Sequence, residues 1–400
     1  MRIGLVMPVG WAELKDYLPP EVQLPVPLEF PFGSRLAAEF LRLGHEVHIF
    51  TLCHFTEGEI HTEHNGLHVH IAGYRDPFRM CYLDGFRVES NRLKKMMREW
   101  PCDIYNAHWQ YEFARPVVEL GVPHIVTVRD NPWKVLWLFS PKAYRLMRLI
   151  LAYYVTRKAK CVSVASPYMA DYLKKWHHVK NDIPVIPNAV PLFDLDTVKR
   201  DAHTGKIVFL EIANGFSSCK NVKNLLRAFS ILRRKKELGA ISIELRLYGN
   251  GYGPGEECEM WARKNGLADD VVFHPKTKQY ELHQEIARIG DVFIHSSREE
   301  SFGAVIIEAM GCGLATIVGK KSGACPWVAG YGETGLLVDV NDPQDMANAM
   351  LKLALDESYR MSCSKAALKR ARSVFSLSAV ACQYLNMYES VCNSKQGKTL

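Results

Sequence analysis

The chain has 400 residues, of which 48% are hydrophobic and 23% charged, and it carries a formal net charge of +7. That balance excludes an intrinsically disordered chain and leaves room for two domains of ordinary size, each with a buried core. Eleven cysteines, an odd number spread from Cys53 to Cys392 without a Cys-x-x-Cys pair, argue against a disulfide framework or a zinc ribbon and suit reduced cytosolic thiols.

Residues 1–8 read as a short strand ended by Pro8, without the longer apolar region and small-residue cleavage site of a signal peptide. No apolar run reaches membrane-spanning length. Strand-like runs at 3–7, 46–51, 68–71, 104–107, 124–128 and 161–165 alternate with helical stretches such as 34–43 and 86–100. Such alternation predicts a parallel sheet with helices on both faces. Seven histidines fall between His45 and His70. They straddle a strand, a turn at Asn65-Gly66 and a second strand, which reads as a solvated hairpin without ligand-like clustering.

His108, Arg129 and Asp130 end two of these strands and are expected to face a cleft. Residues 131–170 then hold seven Lys or Arg and no Asp or Glu, interleaved with Trp133, Trp137, Phe139, Tyr144, Tyr153 and Tyr154. Two readings fit this segment. It rests on an anionic bilayer surface with its rings at headgroup level, or it packs on the sheet and leaves a cationic face in water. Nucleic acid is a poor partner, since no nucleic-acid motif occurs and a pI near 8.7 falls short of the usual basic footprint. The Pro-rich run 186–191 marks a domain boundary, and Asp194-Leu195-Asp196, which has the letters of a metal-binding Asp-x-Asp, follows it in a linker and is discounted.

From Lys206 the pattern repeats, with strands at 207–212, 242–248, 271–273, 292–295 and 315–318. The apolar run 291–295 precedes Glu300-Ser301-Phe302-Gly303 and an apolar stretch of good helix formers, 304–310, so residues 300–303 should form the connecting turn. Glu300 and Glu308 then stand at a strand-to-helix junction outside a strand end, where free backbone amides suit an anion and carboxylates suit sugar hydroxyls. The dinucleotide fingerprint is absent, because Gly249-x-Gly251 is followed by Pro254, and no Walker lysine motif occurs.

Glu300-Ser301-Phe302-Gly303 followed by Glu308-Ala309-Met310-Gly311-Cys312-Gly313 resembles the signature of the retaining glycosyltransferases of family four. Residues 247–251, 271–273, 289–292 and 332–338 follow that family's order through the C-terminal half. The resemblance implies the GT-B architecture, two Rossmann-like parallel-sheet domains facing across a cleft. Residues 1–190 would bind the acceptor and 191–375 the nucleotide-sugar donor, with 376–400 as a helix crossing back to the first domain.

By the same resemblance Glu300 contacts donor-sugar hydroxyls, Glu308 holds the ribose, Ser301, Phe302 and Gly303 line the sugar, and Gly249 belongs to the donor loops. Lys220 keeps the family's diphosphate lysine, whereas Gly215 stands where the family has an Arg; either its backbone approaches the phosphates, Arg298 or another cation substitutes, or turnover is slow. Trp327 departs from the family's usual Glu and either alters substrate packing or fills core. His108 matches a family histidine or is a satisfied core residue. Arg129 stands where the family carries a histidine that reaches the donor sugar, or pairs structurally with Asp130.

The implied activity is retaining hexosyl transfer from a UDP-, GDP- or ADP-sugar to a glycan or lipid-linked acceptor in cell-surface polysaccharide or glycoconjugate synthesis. It needs no cofactor and no divalent metal. The implied location is cytoplasmic, with peripheral attachment to the inner membrane face under the bilayer reading. A sugar-nucleotide epimerase, a phosphorylase, or a catalytically weak sugar-nucleotide-binding subunit are the alternatives on the same scaffold.

Overall fold

The computed structural model describes residues 1–28, 30–54, 58–138, 142–179, 182–192, 194–195, 198–201 and 205–396. Two compact units emerge, one from Met1–Ala189 together with the segment from Leu377 onward, the other from Val190–Ser376.

In the first unit, β1 (Arg2–Val6), β2 (Glu46–Cys53), β3 (Glu59–His64), β4 (Leu67–Gly73), β5 (Ile104–His108), β6 (His124–Val128) and β7 (Val162–Val164) lie in the order β3-β4-β2-β1-β5-β6-β7. Successive side chains of a strand point to opposite faces, and both faces here are apolar. Ile3 and Leu5 of β1 join Val47 and Ile49 in one core, while Val6 joins Phe50 and Leu52 in the other. That double burial is why the strands read as continuous apolar runs. Only β3 runs antiparallel, at the sheet edge. Its turn uses Asn65 and Gly66, both with positive φ (48° and 80°), the two-residue geometry that matches strand twist in a hairpin.

The hairpin is as expected, but its histidines are not scattered. Parallel pairing puts His48 beside His68, and antiparallel pairing puts His61 beside His70 and Glu63 beside His68. They form one row across three strands.

The last helix, Leu377–Gln396, inserts Val380, Ala381, Tyr384 and Tyr388 into the first unit's core. Asn106 Nδ2 of β5 donates to the Tyr388 hydroxyl at 2.8 Å. The basic aromatic segment forms the helices Pro132–Leu138 and Lys142–Lys158; Phe139 lies outside the described residues. Part of it packs inward and part of it faces water. Arg148 is core, its guanidinium 3.7 Å from the Tyr111 ring centre and 3.8 Å from Glu112. Lys142 closes the preceding helix by donating to the Leu136 and Trp137 carbonyls. Arg157, Lys158 and Lys160 stay exposed, as do Trp137 (76%), Leu146 and Ile150. Among the described residues no helix is long and apolar enough to cross a membrane.

The second unit contains β8 (Lys206–Ile212), β9 (Ser242–Tyr248), β10 (Val271–His274), β11 (Val292–His295), β12 (Ala315–Gly319) and β13 (Gly335–Val338), all parallel, in the order β10-β9-β8-β11-β12-β13. This is the doubly wound order, and its direction of winding reverses between β8 and β11. Ligands of such sheets bind outside the strand carboxyl ends at that point. Asp196 of the discounted Asp-x-Asp lies outside the described residues.

Candidate functional site

A cavity of about 540 Å³ opens where β8 and β11 end. Its walls are the residues after β8 (Ile212 to Asn214), after β9 (Tyr248 to Asn250) and after β10 (Lys276 to Gln279), with Lys220, His295, Glu300, the helix start at Gly303 to Val305, and Glu308. Two glycines make this shape. Gly249 has φ 140°, and a Cβ there would stand 1.7 Å from the Ala213 carbonyl oxygen. Gly303 (φ 87°) begins the helix Ala304–Gly311 in a left-handed conformation, which other residues adopt only with strain.

Lys220 is held by its neighbours' backbone. Ser296 Oγ donates to the Lys220 carbonyl at 2.7 Å, Arg298 N donates to the Cys219 carbonyl at 2.8 Å, and Asn221 Nδ2 donates to the Ser296 carbonyl at 3.1 Å. The loop after β8 is thus stitched to the segment after β11. Lys220 Nζ then meets Glu300 Oε1 at 2.6 Å.

Behind this pair the charges continue to alternate. Glu300 Oε1 lies 3.4 Å from His295 Nε2, and His295 Nδ1 lies 3.7 Å from Glu211 Oε1. Glu211 accepts from the Ser296 amide at 2.9 Å. Glu211 and His295 are both buried. Burial opposes charge throughout the row, and mutual attraction decides where charge survives. At Glu300 the His295 hydrogen bond and charge, with Lys220, outweigh burial and hold the carboxyl down to about 2. Burial likewise disfavours the Lys220 ammonium, but Glu300 raises its pKa. His295 is pushed down by burial yet ends raised, through Cys325, Glu300 and Glu211, so it is cationic at neutral pH. Glu211 is driven up by burial against the pull of His295.

The chain is similar to known proteins along most of its length. Residues 34–192 match the family described as Glycosyltransferase Family 4, and residues 196–370 match Glycosyl transferases group 1. The chain belongs to the group 1 glycosyltransferases. A lipopolysaccharide core biosynthesis glycosyltransferase of Rhizobium meliloti is 27% identical over 329 residues, 79% of this chain and 83% of that one. The N-acetyl-alpha-D-glucosaminyl L-malate synthase of Bacillus anthracis is 29% identical over 194 residues, 48% of each chain. The match thus spans about half the length of that curated relative. Among solved structures, the sucrose-phosphate synthase of Thermosynechococcus elongatus superposes with a TM-score of 0.73 at 18% identity, covering 98% of this chain and all of that one. This likeness establishes the GT-B fold.

In this group 1 chain the cavity gathers Lys220, Glu300, Gly303, Glu308 and Gly249. Glu308 accepts from Gln279 Nε2 at 2.8 Å and lies 3.4 Å from His283 Nε2. Ser301 sits in the turn but not in the cavity wall. Phe302 is turned into an aromatic trio with Trp327 and Phe375, ring centres 5.5 to 6.4 Å apart, and Trp327 stays half-buried there. Gly215 (φ 84°) donates to the Asn250 carbonyl and accepts from the Tyr252 hydroxyl, and it is outside the wall. An Arg at that φ would be strained. Arg298, the other candidate cation, also lies outside the wall, its guanidinium donating to Asn341 and to the Ser218 carbonyl.

His108 and Arg129 are not part of this cavity. They belong to the first unit, where both are buried and bonded to each other: Arg129 Nη2 lies 2.6 Å from His108 Nδ1 and 3.2 Å from the Tyr384 hydroxyl, and Nη1 reaches Asn188. The guanidinium sits 4.2 Å from the Phe32 ring centre. Burial, then the Arg129 charge, drives the His108 pKa well below its ordinary value. Asp130 is not Arg129's partner; it accepts from Gln110 and from Tyr111 at 2.6 Å. Such enclosure fits the core alternative for His108, and it gives Arg129 other partners than the Asp130 of its structural alternative.

Sequence reasoning missed Glu211 and His295, as well as Lys276 and Lys278 in the cavity wall. A glutamate inside the apolar run Ile207 to Ile212 was the available signal for the first, since a charge is kept in a buried strand only with a partner.

Proposed function

We propose that this chain is a retaining hexosyltransferase that takes its sugar from a nucleoside diphosphate and passes it to a glycan or lipid-linked acceptor hydroxyl. The observation that carries this reading is the ion pair of Lys220 and Glu300 in the cavity at the reversal point of the second sheet. When donor enters, Glu300 accepts hydrogen bonds from sugar hydroxyls, and Lys220 turns to the diphosphate. A cation there stabilises the charge growing on the leaving group more than it stabilises the bound donor. Glu308 takes the ribose hydroxyls. Lys276 and Lys278, both exposed at the cavity wall, supply the positive charge that Gly215 and Arg298 do not. The departing diphosphate itself removes the acceptor proton, so no divalent metal or cofactor is needed. The first unit binds acceptor.

A cytoplasmic enzyme working at a membrane surface is part of this proposal. Its support is the exposed Trp137, Leu146 and Ile150 beside Arg157, Lys158 and Lys160, rings and cations suited to anionic headgroups. Cosedimentation with anionic but not neutral vesicles, lost in Trp137→Ala with Leu146→Ala, is the expected result.

Calorimetry with UDP-, GDP- and ADP-sugars tests the donor assignment. One nucleotide binds wild type and fails with Lys220→Ala; silence with all of them overturns it. The second reading, a sugar-nucleotide-binding subunit of weak turnover, is favoured by Gly215 at the Arg position. Donor binding without transfer or hydrolysis across an acceptor panel would select it, and product analysis without acceptor separates both from an epimerase or phosphorylase.

A further inference from the structure

The row of imidazoles on the first unit's sheet edge has an arrangement that hairpin packing does not require. Glu46 and His48 on β2 and His68 on β4 bring three ligand atoms within 4.8 Å of one another. Glu46 Oε1 lies 2.9 Å from His48 Nε2 and 3.6 Å from His68 Nε2. A tetrahedral ion bound at about 2.0–2.1 Å separates its ligand atoms by about 3.3 Å. The two observed spacings bracket that figure.

The opposite nitrogen of each ring also has a polar neighbour. Glu63 Oε2 lies 3.2 Å from His68 Nδ1, and His70 Nε2 lies 3.1 Å from His48 Nδ1. His70 Nδ1 in turn lies 3.1 Å from His61 Nδ1. Metal-ligating histidines characteristically hand their second nitrogen to a carboxylate or another acceptor, which fixes the ring and the tautomer. The direction of that chain is set by the tautomers: with Glu46 accepting from His48 it runs from His61 through His70 to His48, and with an ion on His48 Nε2 it reverses, His48 Nδ1 donating to His70 and His70 Nδ1 to His61. In the second sense His48 Nε2 is a lone pair 2.9 Å from the Glu46 carboxylate, with His68 Nε2 3.6 Å from the same oxygen.

The two candidate imidazoles lie side by side, so one ring must turn for both Nε2 lone pairs to reach a single ion. His48 and His68 stack with centres 4.3 Å apart and planes 2° from parallel, and His70 is stacked between Phe50 and His61. His48 is buried at 4% side-chain exposure, whereas Glu46 is 42% exposed, so an ion has an entry path and water can complete its shell.

We propose that Glu46, His48 and His68 form a surface site for one divalent transition ion of the zinc class, clipping β2 to β4 with His70 and Glu63 holding the two rings. Imidazole and carboxylate donors in this number suit zinc, while magnesium and calcium prefer all-oxygen sets. The inference is independent of the transfer reaction and of the second unit.

Zinc titration into tag-free, chelator-dialysed full-length protein is the test, read by calorimetry, with Glu46→Gln and His68→Gln as variants. Both positions are partly exposed, and circular dichroism checks that each variant folds. The expected result is one zinc per chain in wild type, affinity at least tenfold weaker in each variant, and a zinc-dependent rise in melting temperature that both variants lose. Cobalt substitution should give weak visible ligand-field bands of nitrogen and oxygen ligation. No saturable zinc, equal binding in wild type and both variants, or a cobalt spectrum with intense thiolate charge-transfer bands from the cysteines would each overturn the site.

Discussion

At the scale of single residues, Glu211, His295, Glu300 and Lys220 form a row in which each charge is justified by the next. Removing one member strands its neighbour in a low-dielectric site, which costs more than the lost contact. Glu300→Gln should therefore leave Lys220 with burial uncompensated and weaken donor binding at least tenfold, measured by calorimetry. The pH behaviour follows from the two partners of opposite sign. Glu300 has a folded pKa of about 2, below its unfolded value, so its stabilisation is present above about pH 4.5 and fades only as pH falls toward 2. His295 is raised to about 10, so its stabilisation is whole below about pH 6.5 and is lost as pH rises through 10. Thermal unfolding across pH should accordingly show a smaller alkaline loss in His295→Gln than in wild type, on a lower plateau. Equal alkaline slopes would mean that His295 is neutral. None of this row except Glu300 and Lys220 was legible in the sequence. A strand's spacing tells which face a side chain takes, but the meeting of Glu211 with His295 depends on β8 and β11 being neighbours although residues 213–291 lie between them.

The elements themselves were far more legible, because strands buried on both faces leave apolar runs that need no partner to be read. What their pairing does was not. His48 and His68 stand 20 residues apart, and only the parallel register of β2 with β4 makes them touch. Local backbone was legible where glycine is obligatory. Gly249→Ala places a methyl against the Ala213 carbonyl, so the ends of β8 and β9 must separate. A loss of about 1–3 kcal/mol is expected for a residue forced into such a conformation, with donor affinity falling alongside stability. Retention of both in calorimetry and urea unfolding would show that the loop after β9 relaxes freely. Arg298 carries the opposite lesson: a cation beside the motif looked available until Asn341 and Ser218 claimed it.

For the whole molecule, the two units have separate cores, and the first is closed by residues from the far end of the chain. Tyr388→Ala empties a buried aromatic site and orphans the Asn106 amide, so about 3–5 kcal/mol should be lost. Hydrogen exchange should report that loss in β1, β2 and β5 and spare β8 and β11; uniform loss of protection would mean that the units unfold as one. The boundary near residue 190 was legible from its prolines, and the return of residues 377–396 was not readable from local pattern, since an amphipathic helix does not announce which sheet it covers. That return has a consequence for how the chain is made. Synthesis runs from the amino end, so the sheet that emerges first must wait, with the seat of Tyr384 and Tyr388 uncovered, until the second unit has been translated. The unit that is oldest on the ribosome is the youngest as a finished structure. Nascent chains stopped before residue 377 should show that apolar seat to chaperones while the later unit is already closed.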